Sequence, residues 1–95
     1  MGIIYKYPLE ITDEQILEVP MRTTFLTVMF QNGQLYVWGK HSIYDPPLQK
    51  VKRRIVIVGT GHEFDNASLN YIGTVQERGF VWHVFNDYSY QLELK

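Results

Sequence analysis

Apolar and polar positions alternate along most of the chain in short runs with a period of two, the pattern of strands half-covered by a core. Ile3 to Tyr7 is β-branched and aromatic and stops at Pro8, which predicts a first strand over Ile3–Tyr7. The next stretch reads two ways. Thr12 followed by Gln15 has the spacing of a helix capping box, but Pro20 leaves little room for a helix. Ile11, Leu17 and Val19 fit extended structure better, so Gln15–Val19 is read as a strand. The clearest element follows. Thr24–Gln31 and Gln34–Lys40 flank Asn32-Gly33, the pair that best tolerates the two positive φ angles of a type I′ hairpin turn. Counting outward from that turn sets Phe30 opposite Leu35, Met29 opposite Tyr36, Val28 opposite Val37 and Thr27 opposite Trp38. One face then carries Leu26, Val28, Phe30, Leu35 and Val37, an ordinary core face. The other carries Phe25, Met29, Tyr36 and Trp38, with Thr27 and Lys40, and is too apolar for an open sheet face.

Farther on, His41–Gln49 contains Asp45-Pro46-Pro47 and reads as a loop. Val51–Val58 starts basic and ends apolar on both faces, as a central strand does. Gly59–Asn66 is a glycine-containing loop, and Ala67–Asn70 is expected to form a helical turn. Tyr71–Glu77 and Phe80–Asn86 form a second hairpin about Arg78-Gly79, with Val75 opposite Trp82, Thr74 opposite His83 and Ile72 opposite Phe85. The alternating tail, residues 86–95, is either an edge strand or a swapped arm. The sum is a mainly β fold: a small antiparallel β-sandwich or partly open barrel of six to seven short strands, with at most one helical turn.

Composition narrows the classes. With 95 residues the chain makes one domain, and with no cysteine it has neither disulfides nor a thiolate zinc site. Small domains without such staples often gain stability by association, so a homo-oligomer is expected. Aromatic residues make up 15% of the chain, which suits contact surfaces as well as sheets. A net charge of −1 argues against dedicated DNA binding. No apolar run approaches the roughly 20 residues of a membrane helix. The amino terminus lacks a signal-peptide pattern, and Lys6 stands where a myristoylation motif needs Ser or Thr.

Chemistry-bearing residues are few. Gly59-Thr60-Gly61-His62 follows a buried strand and resembles part of an anion-binding nest, or simply a turn needing positive φ. His62, Glu63 and Asp65 lie too close together to make a tetrahedral metal site, and no metal or other cofactor is expected. His83, inside Val81–Phe85, is expected to pair with Thr74 across the hairpin. A triad of Ser42 or Ser68 with a histidine has no Gly-x-Ser-x-Gly elbow to support it. Lys50, Lys52, Arg53 and Arg54 form the basic cluster, which reads either as a solvated strand end or as a phosphate-recognition site. Tyr36 and Trp38 are available for stacking on a base.

Five blocks resemble a small bacteriophage protein family of unassigned function: Ile4-Tyr5-Lys6-Tyr7-Pro8-Leu9, the segment from Val28 through Gln31-Asn32-Gly33 to Trp38, Gly59–His62, Tyr71-Ile72-Gly73-Thr74, and Val81 to Phe85. They span residues 3–86 in the family's order. The resemblance implies a protein working in the host cytoplasm against a host target. The expectation is therefore a non-enzymatic phage accessory protein with a counter-defence role, sequestering a host nucleotide-like immune signal. Its expected ligand residues are Arg53, Arg54, Thr60, Gly61, His62, Trp38 and His83, and its oligomer or partner surface is Phe25, Met29, Tyr36 and Trp38. The alternatives are a protein inhibitor of a host enzyme, a virion-associated structural module, or a small hydrolase using His62 or His83.

Overall fold

The structure, a computed structural model, describes residues 1–43 and 49–93, with side chains through Tyr90. The expected loop at Asp45-Pro46-Pro47 lies outside those residues. Seven strands are formed: β1 (Gly2–Leu9), β2 (Glu14–Pro20), β3 (Thr24–Gln31), β4 (Gln34–Ser42), β5 (Lys50–Gly59), β6 (Leu69–Glu77) and β7 (Phe80–Glu93). They make two antiparallel sheets, ordered β1-β4-β3 and β2-β5-β7-β6. Leu9, Val28, Leu35 and Val37 of the first sheet pack against Ile55, Ile57, Val75 and Val84 of the second. This is the expected β-sandwich. It is drawn together along one side, where the edge strands β3 and β6 meet: a β-carbon on Gly73 would lie 2.8 Å from Val28 Cγ2.

Both hairpins turn as their sequences require. Asn32 and Gly33 have φ of 52° and 80°, and Arg78 and Gly79 have 50° and 83°. The first register is the expected one from Gln31–Gln34 out to Thr27–Trp38. Beyond it a bulge at Leu26 pairs Phe25 with Gly39. The bulge reverses the expected faces: Phe25 packs on the core, and Leu26 turns out. In the second hairpin Val75 pairs with Trp82 and Thr74 with His83, as expected. A bulge at Ile72 then pairs Tyr71, in place of Ile72, with Phe85. Ile72 packs against the core instead.

Other boundaries move for physical reasons. β1 runs through Pro8 to Leu9 because it is an edge strand, where a missing N–H is tolerated. The expected helical turn at Ala67–Asn70 is a simple turn, and β6 begins at Leu69. Among the described residues there is no helix, and so none long and apolar enough to cross a membrane. The tail continues β7 along β5, with Gln91 opposite Arg53 and Glu93 opposite Val51. β5 and β6 both run antiparallel to β7, which lies between them. The segment Thr60–Ser68 therefore returns along the sheet past β7, and Phe64 stacks on Phe85 at 5.5 Å on the way.

Candidate functional site

A groove of about 880 Å³ lies beside the last residues of β5. It exists because β2 pairs with β5 only as far as Glu14 opposite Val56. One more bond follows, from Ile57 N–H to the Asp13 carbonyl at 3.1 Å, and then the chain turns away. The Thr12–Gln15 pair that resembled a helix cap drives that turn. The Gln15 amide donates to Glu10 O at 2.6 Å and to Thr12 Oγ1 at 3.2 Å, while its oxygen accepts from Glu10 N–H at 3.0 Å. Val56 and Val58 contribute apolar lining, the Ile11–Glu14 turn forms one wall, and His62–Asp65 forms the other.

One end of the groove is closed by charge. The Arg54 guanidinium donates from Nε to Glu14 Oε2 at 2.6 Å and from Nη1 to Asp87 Oδ2 at 2.8 Å. The hydrogen bond to Glu14, above all, holds Arg54 above its ordinary pKa. Asp87 is buried and also accepts from the Ser89 hydroxyl at 2.7 Å and the Ser89 N–H at 3.0 Å. The Ser89 hydroxyl bond leads the interactions that hold its carboxyl below the usual value, against the opposing effect of burial. The remaining rim is acidic, with Asp13, Glu63 and Asp65 exposed.

The expected ligand residues do not form one cluster. Thr60, Gly61, His62 and His83 surround a smaller hollow of about 300 Å³, together with Phe64 and Phe85. Arg54 and His62 both line the large groove. Arg53 points to the opposite face of its strand, over the Phe25 ring at 5.0 Å, and donates to Thr23 O at 3.0 Å. Burial pushes its pKa below the ordinary value. Trp38 stands on the other sheet, 5.8 Å from Tyr36. The basic run is thus split by strand alternation, and each arginine already has protein partners.

The glycine loop is likewise occupied. Thr60 N–H donates to Val81 O at 3.2 Å and His62 N–H to Gly59 O at 3.1 Å, so neither is free to cradle an anion. Only Gly61 has positive φ, 89°. Gly59 is needed for space: a β-carbon there would lie 3.0 Å from His62 Nδ1 and 3.1 Å from Trp82 Cζ3. The His83 ring joins two hydroxyls, Thr60 at 2.7 Å from Nε2 and Thr74 at 3.0 Å from Nδ1, and Thr74 joins the Tyr71 hydroxyl at 2.5 Å. Among the described residues no three His, Asp or Glu side chains gather to hold a metal ion.

Of the expected contact surface, Met29, Tyr36 and Trp38 share the outer face of the three-stranded sheet, and Phe25 has left it for the core. Met29 is 48% exposed, and Ile4 on β1 is 57% exposed. Lys6 spans this face, with Nζ 4.5 Å from the Tyr36 ring centroid and a bond to Gln31.

Glu14, Asp87, Asp13 and Phe64 were not singled out from the sequence. Asp87 lies just past the strand expected to end at Asn86, in a polar stretch that gave no signal of its role. Its partner was hidden, because the β5–β7 register shifts between Arg53 and Arg54.

The family model described as a domain of unknown function, DUF7352, matches residues 1–94, and the chain belongs to that family. No curated protein and no solved structure matches the chain.

Proposed function

We propose that this family member is a non-enzymatic accessory binding protein that captures a host-derived target in the groove beside β5. The observation that carries the proposal is the groove itself, about 880 Å³ with Val56 and Val58 in its lining, within the size range of ligand sites. The arginine in its lining and one histidine of the neighbouring hollow are tied to structural partners. Arg54 is held by Glu14 and Asp87, and His83 by Thr60 and Thr74. General acid–base catalysis needs a group free to reach a reacting atom, and neither is so placed. The resemblance of residues 3–86 to a phage family supplies the setting, counter-defence in the host cytoplasm.

Native mass spectrometry of the protein purified from host cells tests this reading. A stoichiometric companion, released chemically unchanged and absent from an Ala67→Trp variant that plugs the groove, is the expected result. Turnover of the released companion by fresh protein would refute a purely binding role.

A nucleotide-like signal is the second reading. The ring stack of Phe64 on Phe85 beside Thr60, His62 and His83 favours it, since bases stack on such platforms. Charge opposes it, because both nearby arginines are engaged and the groove rim is acidic. Homo-oligomerisation belongs to the same proposal and uses the Met29–Tyr36–Trp38 face. Sedimentation velocity of the protein against Met29→Lys checks it, with loss of the larger species as the expected outcome.

A further inference from the structure

Resting on the groove as the binding site, we infer that its occupant is an extended basic segment of a partner protein, added as a strand along the open end of β5. The backbone carries the first half of the case. Ile57 and Gly59 turn their N–H and C=O groups towards the β2 side, as the bond from Ile57 N–H to Asp13 O shows. Gly59 O is taken by His62 N–H. That leaves Ile57 C=O and Gly59 N–H without a partner among the described residues, two groups on the same edge, one on either side of Val58. An extended segment alongside would satisfy both with its own N–H and C=O, the bonding used when a peptide is added to a sheet edge. The chain's own continuation does not do so, because Gln15 clamps Glu10 and Thr12 into the turn that carries the chain off the edge.

Charge carries the second half. Asp13, Glu14, Glu63 and Asp65 border the groove. The lining arginine is Arg54, already shared between Glu14 and Asp87. An anionic ligand would meet like charge on both walls. A segment carrying Lys or Arg at alternate positions would set its charges on the face of Val56 and Val58, against those carboxylates, and its apolar side chains on the opposite face, beside Ile57.

The test uses the full chain labelled with nitrogen-15 and four probes. They are an eight-residue peptide of alternating lysine and valine, its alternating glutamate–valine counterpart, the lysine–valine peptide N-methylated at its central valine, and a cyclic dinucleotide. The expected result is that the lysine–valine peptide alone shifts the Gly59 amide and protects it from hydrogen exchange. Its binding should weaken at least fivefold in Asp13→Asn/Glu63→Gln and fall with added salt. Equal binding of the N-methylated peptide would overturn strand addition. Binding of the cyclic dinucleotide or the glutamate peptide at Gly59 would overturn the basic occupant and leave the groove standing as the site. No shift in the groove with any probe would remove the groove itself, and with it the reading on which the inference rests.

Discussion

Gly73 on β6 lies against Val28 on β3 with no space for a β-carbon: one placed there would stand 2.8 Å from Val28 Cγ2 and 3.4 Å from Val28 N. This contact brings the two sheets' edges together. Val28 is buried in the core and cannot swing away. Gly73→Ala is therefore expected to destabilise the protein by about 1–3 kcal/mol, the usual cost of overpacking. Urea denaturation reads it as a lower midpoint at unchanged slope. In the double variant with Val28→Ala the loss should be smaller than the sum of the two single losses, because each change relieves the other.

Arg78 occupies a left-handed position, φ 50°, ahead of Gly79. Its side chain is 88% exposed and reaches Glu77 at 3.8 Å. Asn suits that conformation better than Arg. Arg78→Asn should stabilise the hairpin by about 0.5–1 kcal/mol. For a domain of this size that is a rise in melting temperature of a few degrees, which calorimetry resolves.

Asp87 governs part of the acid stability. Its folded pKa is depressed below the ordinary 3.8, so its contribution is complete well above that value. It is lost as pH falls from about 5 through the unfolded value towards the lower folded one. Asp87→Asn should be less stable by about 1–3 kcal/mol at pH 7, since Arg54 loses a charged partner. The gap to the native protein should narrow below about pH 4. Denaturation midpoints of both proteins between pH 7 and pH 3 provide the check.

Arg53 ties β5 to β3 through its stack on Phe25 and its bond to Thr23 O. Lysine keeps the charge but lacks the planar fork. Arg53→Lys should cost about 1–2 kcal/mol. It should also broaden the ring resonances of Phe25, which nuclear magnetic resonance detects.

Turn chemistry and period-two alternation are local properties, so the sequence alone determined the strands and their pairing near each turn. Asn32-Gly33 and Arg78-Gly79 set the registers as far as Thr27–Trp38 and Thr74–His83. Registers ended where bulges at Leu26 and Ile72 intervened, and no turn residue announces a bulge. Both lie close to the β3–β6 seam, where sheet closure demands extra twist and Gly73 packs on Val28. Only that closure moved Phe25 into the core and turned Leu26 out.

The candidate site was legible in fragments. Gly59–His62 and His83 do come together, because the second hairpin and the end of β5 place them side by side. Arg53 and Arg54 are neighbours in sequence, yet strand alternation sends them to opposite faces, and long-range pairing with β2 and β7 supplies their partners. The groove required two non-local events, the early end of β2 on the Gln15 clamp and the return of Thr60–Ser68 past β7. Pairing over such separations depends on the assembled sheet, so tertiary structure decided both the groove and its acidic rim.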